Sequence, residues 1–76
     1  MKLAKLIALV ADALDEDISK ITEETTASDL EDWDSLGHIQ ILSKLDLEYD
    51  DISEKIPSLA SVSSIKEMHS LLGSVD

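Results

Sequence analysis

The decisive stretch of the sequence is Asp32-Trp33-Asp34-Ser35-Leu36-Gly37-His38-Ile39, where an acidic segment gives way to a helical pattern. Apolar residues then recur at steps of three and four, at Leu36, Ile39, Leu42, Leu45 and Tyr49. That spacing places them on one face of a helix over residues 35–49, and we expect this face to pack in the core. Ser35 therefore lies at or just inside the start of the helix, near the unpaired N–H groups of the first turn.

The position of Ser35 has two interpretations. In the first, Ser35 or Asp34 is an ordinary N-cap, which is the usual role of such residues before an apolar-periodic run. In the second, Ser35 carries a phosphate-linked group. A phosphodiester at this position would face the positive end of the helix dipole and free N–H donors. Position alone favours the cap.

The residues around the serine favour the second interpretation. Asp34-Ser35-Leu36 resembles the Asp-Ser-Leu signature of acyl carrier proteins and their peptidyl and aminoacyl relatives. The longer string Trp33-Asp34-Ser35-Leu36-Gly37-His38 resembles the variant found in free-standing bacterial carrier proteins of specialised pathways. The resemblance implies that 4′-phosphopantetheine is attached to Ser35 and that its thiol holds an acyl or aminoacyl cargo. It also implies a monomeric, all-α four-helix bundle with a long loop between helices 1 and 2 and a short third helix.

Composition limits the class of protein. The 76 residues suffice for one small domain, residues 1–76, and 43% of them are hydrophobic. The net charge of −11, with six Lys and no Arg, argues against nucleic-acid binding. The same charge repels anionic membranes. It either attracts basic protein surfaces or merely keeps a small protein in solution. The resemblance implies partners with basic docking patches: a phosphopantetheinyl transferase, acyl- or aminoacyl-loading enzymes, and acyltransferases or synthases, including those of fatty acid or polyketide synthesis.

The first apolar segment predicts a core helix rather than a targeting signal. Leu3, Leu6, Ile7, Val10 and Leu14 share one face of a helix over residues 2–14. The continuous apolar run 6–11 is too short for a signal peptide or a membrane span. We therefore expect a cytoplasmic protein without membrane insertion.

The acidic connection over residues 15–34 is long for a structureless loop in a small domain. We expect four apolar anchors to pin it over the core, namely Ile18, Ile21, Leu30 and Trp33. Its threonines favour local side-chain-to-backbone bonds, and a short helical turn is predicted near residues 16–20 or near residues 27–31. No glycine occurs in residues 12–34, so an EF-hand calcium site is not expected.

The second helix also predicts a partner surface. Its early exposed positions are expected to be Gly37, His38 and Gln40, with acids returning at Asp46 and Glu48. Gly37 is either simply tolerated in the first turn or lets the arm or a partner approach the backbone. His38 could pair with Asp34, and we expect it to be an ordinary exposed histidine rather than a contact of the arm or partner. Carrier proteins of fatty-acid synthesis have an acidic surface here, so the departure favours a dedicated set of partners.

The last third of the chain predicts two helices. Residues 50–61 hold a short one, with Ser53 as cap before Glu54, and Pro57 either ends it or begins a new turn. Residues 62–72 form the last helix, capped by Ser61 and stopped by Gly73. The two histidines, His38 and His69, lack the partners that a metal site needs.

Two other functions compete with the carrier. A serine hydrolase would need a base and an oxyanion site around Ser35, and a bundle this small offers little enclosed cleft. We therefore do not expect an enzyme. The alternative is an acidic protein–protein interaction module without a prosthetic group.

Overall fold

The computed structural model describes residues 1–73 of the chain. These residues form four α-helices. They are α1 (Leu3–Leu14), α2 (Ser35–Tyr49), α3 (Ile52–Lys55) and α4 (Ile65–Leu71). Three short 3-10 helices lie between them, at Ile18–Lys20, Ala27–Asp29 and Pro57–Ser61. The predicted all-α bundle is confirmed. Within residues 1–73 no helix combines the length and apolar character needed to cross a membrane.

Helix α1 buries the face that the sequence predicted. Leu6, Val10 and Leu14 are buried, and Ala11 and Ala13 extend the buried surface. The helix ends at Asp15, whose backbone is left-handed with φ 54°. The next N–H group, of Glu16, returns to the carbonyl of Ala11 at 2.9 Å, which satisfies an end-of-helix acceptor.

The long connection between α1 and α2 is held in place by both side chains and backbone. Ile21, Leu30 and Trp33 are buried as predicted, but Ile18 is 53% exposed, so its prediction as an anchor is wrong. A short helical turn was predicted at one of two places, and the structure has one at each, Ile18–Lys20 and Ala27–Asp29. The connection also bonds to the start of α4 through an isolated antiparallel bridge between Thr26 and Ser64. Two backbone hydrogen bonds flank that bridge, Ala27 N–H to Ser63 O at 2.7 Å and Ile65 N–H to Thr25 O at 3.0 Å.

Helix α2 has the predicted bounds, and its predicted core face is right in part: Leu45 is buried, and Leu42 and Tyr49 are partly buried against the core. Ile41 and Leu45 are fully buried and Gly37 is buried beside them. Leu36 and Ile39 are 64% and 58% exposed, so their prediction as core residues is wrong. The helix is rotated so that Gly37, Ile41 and Leu45, spaced by four, face α1 and the core.

The third helix is capped differently from the prediction. Asp51 precedes α3, and Ser53 lies inside the helix, where its N–H and hydroxyl donate to Asp46 of α2. Ser53 is therefore a link to α2 and not a cap. Pro57 starts the 3-10 helix that follows, which is one of the two roles expected for it.

Helix α4 starts three residues later than predicted. Val62 is extended, and the cap is Ser64, whose hydroxyl accepts the N–H of Glu67 at 3.1 Å. Ser64 also donates to the Glu67 carboxylate at 3.0 Å. The sequence Ser64-Ile65-Lys66-Glu67 is a Ser-x-x-Glu capping signature, which explains why Ser64 and not Ser61 begins the helix.

Candidate functional site

Ser35 is the first residue of α2, and Asp34 is its N-cap. The Asp34 carboxylate accepts the N–H of Gly37 at 2.8 Å, so the capping role belongs to the aspartate. Ser35 is exposed, and within residues 1–73 its hydroxyl makes no hydrogen bond. The serine is thus placed at a helix start without being used to build that start.

The backbone at the start of α2 has N–H groups that are available as hydrogen-bond donors. Asp34 uses its side chain on the Gly37 N–H and its carbonyl on the His38 N–H, at 2.8 Å. Across the described residues, the N–H groups of Ser35 and Leu36 have no acceptor. Unpaired N–H groups and the positive end of the helix dipole favour an anion attached at Ser35. The exposed carboxylates of Glu31 and Asp32 in the preceding segment act against it.

Gly37 is buried, so its predicted exposure to a partner is wrong. A Cβ atom at this position would collide with the carbonyl oxygen of Asp32 and lie 2.8 Å from the Leu14 side chain. The missing side chain lets the first turn of α2 pack directly against the preceding segment and α1. Gly37 therefore sets where the helix start lies, and with it the position of Ser35.

His38 is half-buried and bonded, in contrast to the exposed residue that the sequence predicted. Its Nδ1 accepts the indole N–H of Trp33 at 3.0 Å, and its Nε2 lies 2.8 Å from the carbonyl oxygen of Leu59. The ring is turned toward these groups, so the expected pair with Asp34 is not formed. The spacing of residues along α2 could not predict Trp33 and Leu59 as partners of His38, because both lie outside this helix, Trp33 before it and Leu59 in the 3-10 helix Pro57–Ser61.

A groove runs beside Ser35 between α2 and the 3-10 helix Pro57–Ser61. Its lining is mainly apolar and includes Ala27, Trp33, His38, Ile39, Leu42, Ala60 and Val62. Asp34 and Ser35 also line it. The groove could not be predicted from the sequence, because the apolar spacing of α2 predicts a core position for Ile39, which in the structure lines the groove.

The outer side of α2 next to Ser35 is apolar. Leu36 is 64% exposed there, and Leu47 is 86% exposed further along the helix. Ile39, which lines the groove, is itself 58% exposed. Gln40 is exposed as predicted and lines the same shallow cavity as Asp32 and Asp34. A surface beside Ser35 thus combines exposed leucine and isoleucine side chains with acidic neighbours.

The two acids predicted further along α2 are already engaged within the chain. Asp46 binds Ser53 and lies 11 residues from Ser35, roughly 16 Å along the helix axis. Glu48 pairs with Lys5 of α1 at 3.3 Å, and its hydrogen bond raises the pKa of Lys5. The structure therefore brings Asp34, Leu36, His38 and Gln40 near Ser35 and leaves Asp46 and Glu48 apart from it.

Comparison of the chain with protein families, with curated proteins and with solved structures finds no match. The function is therefore inferred from the residues and from the geometry around Ser35.

Proposed function

We propose that this chain is a carrier protein that holds an acyl or aminoacyl group as a thioester on a 4′-phosphopantetheine arm attached to Ser35. The observation that carries the proposal is the exposed, unbonded Ser35 hydroxyl at the first position of α2, with Asp34 taking the capping role. A serine needed for the cap would not be free for esterification. The motif Trp33-Asp34-Ser35-Leu36-Gly37-His38 supports the same function by its resemblance to carrier proteins.

The residues present fit such an arm. The N–H groups of Ser35 and Leu36 would hold the phosphate, and the open position of Ser35 leaves room for a long substituent. The arm supplies a flexible thiol, which the chain itself lacks because it has no cysteine. Trp33, Ile39 and Leu42 line the apolar groove in which part of the cargo would lie.

Catalysis is assigned to partner enzymes. The two polar groups flanking Ser35 are engaged elsewhere, Asp34 with the Gly37 N–H and His38 with Trp33 and Leu59. Neither is bonded to the Ser35 hydroxyl in residues 1–73. A serine nucleophile needs such a base within hydrogen-bond reach. These contacts support the role of Ser35 as an attachment point.

The partners should carry an apolar patch bordered by lysine or arginine. Leu36 and Ile39 supply exposed apolar area, and Glu31, Asp32 and Asp34 surround it with negative charge. A phosphopantetheinyl transferase and dedicated acyl- or aminoacyl-loading enzymes and synthases fit this description. Gln40, Ser43 and Lys44 replace the acidic strip of fatty-acid carriers, which favours a specialised pathway. Because attachment consumes coenzyme A, we place the protein in the cytoplasm.

Mass spectrometry after incubation with coenzyme A and a phosphopantetheinyl transferase tests the attachment. The wild type and Ser43→Ala, which removes another exposed serine of α2, should each gain one phosphopantetheine. Ser35→Ala should gain none. Modification of Ser35→Ala, or no modification of the wild type by several transferases, would contradict the proposal.

The second candidate is an acidic interaction module without a prosthetic group. The net charge of −11 and the exposed Leu36, Ile39 and Leu47 favour it. Such a module would bind its basic partner equally well as wild type and as Ser35→Ala. A carrier would bind transferase in both forms but would accept cargo only through Ser35.

A further inference from the structure

A side-chain link joins α2 to the connection that precedes it and to the 3-10 helix Pro57–Ser61. Trp33 Nε1 donates to His38 Nδ1 at 3.0 Å, and His38 Nε2 lies 2.8 Å from the Leu59 carbonyl oxygen. The two rings are nearly parallel, with planes 10° apart and centroids 6.2 Å apart. Trp33 and Leu59 are buried and His38 is half-buried, so water cannot freely replace these bonds.

The partners of His38 determine where its proton lies. An indole N–H can only donate, so Nδ1 of His38 must accept and carries no proton. A carbonyl oxygen can only accept, so Nε2 must carry the proton. Both bonds exist together only with a neutral imidazole in the Nε2–H form.

We propose that His38 is a proton-sensitive latch, which holds the 3-10 helix Pro57–Ser61 against α2 while neutral and releases it when protonated. A proton on Nδ1 would set two donors, the imidazolium N–H and the indole N–H, against each other. The buried Trp33 N–H would then lack an acceptor, which is unfavourable. The ring must turn away, and the bond to Leu59 is lost with it.

The charges around His38 favour release at low pH. Asp34 is the charged residue that shares the groove lining with His38, and Glu31 and Asp32 precede Trp33 in the same segment. The other two elements contribute Ala27, Ala60 and Ser61 to this lining, without charge. An imidazolium that leaves Trp33 is attracted by these carboxylates. The latch lies beside Ser35 but does not depend on its modification, so it is independent of the proposed function.

Fluorescence of Trp33, the one tryptophan in the chain, tests the latch. Emission is recorded between about pH 8 and pH 5, the range in which histidines take up a proton. The wild type should show one titration step. His69→Gln is the matched control, because His69 contacts the Met1 carbonyl at 3.1 Å and not Trp33. The step should persist in His69→Gln and be lost in His38→Gln.

Nuclear magnetic resonance of the unmodified wild type provides a test that needs no variant. At high pH the nitrogen shifts of His38 should report a bare Nδ1 and a protonated Nε2. On acidification the Leu59 carbonyl and the amides of residues 57–61 should shift with the same midpoint as the His38 ring. An Nδ1–H form at high pH, constant signals over residues 57–61, or a fluorescence step that persists in His38→Gln would overturn the proposal.

Discussion

The carboxylate of Asp46 in α2 accepts two hydrogen bonds from Ser53 in α3, one from the backbone N–H and one from the hydroxyl, each 2.8 Å long. Between them the chain turns through Asp50 and Asp51, both with positive φ, at 50° and 61°. A left-handed backbone is costly for residues other than glycine, so the turn persists because its surroundings hold it. The Asp46–Ser53 pair supplies part of that hold.

Removal of Asp46 should therefore reduce stability. Asp46→Ala leaves the half-buried Ser53 N–H and hydroxyl without their acceptor, at a cost of about 1–3 kcal/mol in the free energy of unfolding. Ser43→Ala, on the exposed side of the same helix, should change it by less than about 0.5 kcal/mol. Urea unfolding measures both. Equal effects of the two changes would show that the pair does not hold the turn.

Gly37 should not tolerate a methyl group. Alanine is favoured over glycine within a helix by about 1 kcal/mol, but here its Cβ meets the Asp32 carbonyl and the Leu14 side chain. We expect Gly37→Ala to lower the free energy of unfolding by about 1–3 kcal/mol, as overpacking does.

Gly73→Ala is the control for this substitution. A Cβ there lies 3.3 Å from the nearest atom, the Ser70 carbonyl oxygen, and its backbone has no positive φ. Its stability should stay within about 0.5 kcal/mol of the wild type. Thermal and urea unfolding of both variants give the comparison, and a Gly37→Ala protein as stable as Gly73→Ala would refute the close approach.

Two apolar residues of α2 should separate stability from partner binding. Leu45 is fully buried, so Leu45→Ala should cost about 2–5 kcal/mol of stability. Ile39 is 58% exposed, so Ile39→Ala should change stability by less than about 1 kcal/mol but slow modification by a transferase. Unfolding midpoints and initial rates of modification are the measurements. A large stability loss in Ile39→Ala, with an unchanged rate, would argue for the core position first predicted for it.

Asp17 should contribute stability that depends on pH. The Asp17 carboxylate accepts hydrogen bonds from the backbone N–H and from the hydroxyl of Ser19. These bonds, the backbone one first, lower the pKa of Asp17. Because the folded pKa lies below the unfolded one, this contribution is complete above the unfolded pKa and is lost as pH falls through the folded pKa. The stability difference between wild type and Asp17→Asn should therefore shrink on acidification. A stability difference that stays constant from neutral to acidic pH would contradict this prediction.

The sequence predicted α1 and the bounds of α2 well because their signals are local. The period of α1 and the start and end of α2 follow from residues within a few positions of one another. The face of α2 could not be predicted in the same way. Apolar residues occur nearly all around this helix, including Ile41 and Leu47, so their spacing fits more than one core face. The close packing of Gly37 against Asp32 and Leu14 selects the face that contains Gly37 rather than the one that contains Leu36 and Ile39.

The candidate site was predicted in part for the same reason. Asp34 and Ser35 are adjacent at the start of a helix. The capping role of Asp34 and the exposure of the Ser35 hydroxyl both follow from that position. The role of His38 depends on Leu59, which is 21 residues away, and on the direction in which α2 faces. Likewise, the sequence predicts Asp46 as an exposed acid, but in the structure it accepts the N–H of Ser53 from α3.

The bridge between Thr26 and Ser64 has a consequence for local opening. The N–H of Ala27 donates to the Ser63 carbonyl and the N–H of Ile65 donates to the Thr25 carbonyl. Both hydrogen bonds therefore span the same contact between two segments that lie far apart in the sequence. Neither amide can exchange its hydrogen with solvent unless the connection and the start of α4 separate. The two amides should therefore exchange in one cooperative event, which couples the segment leading to Ser35 to the docking of the last helix.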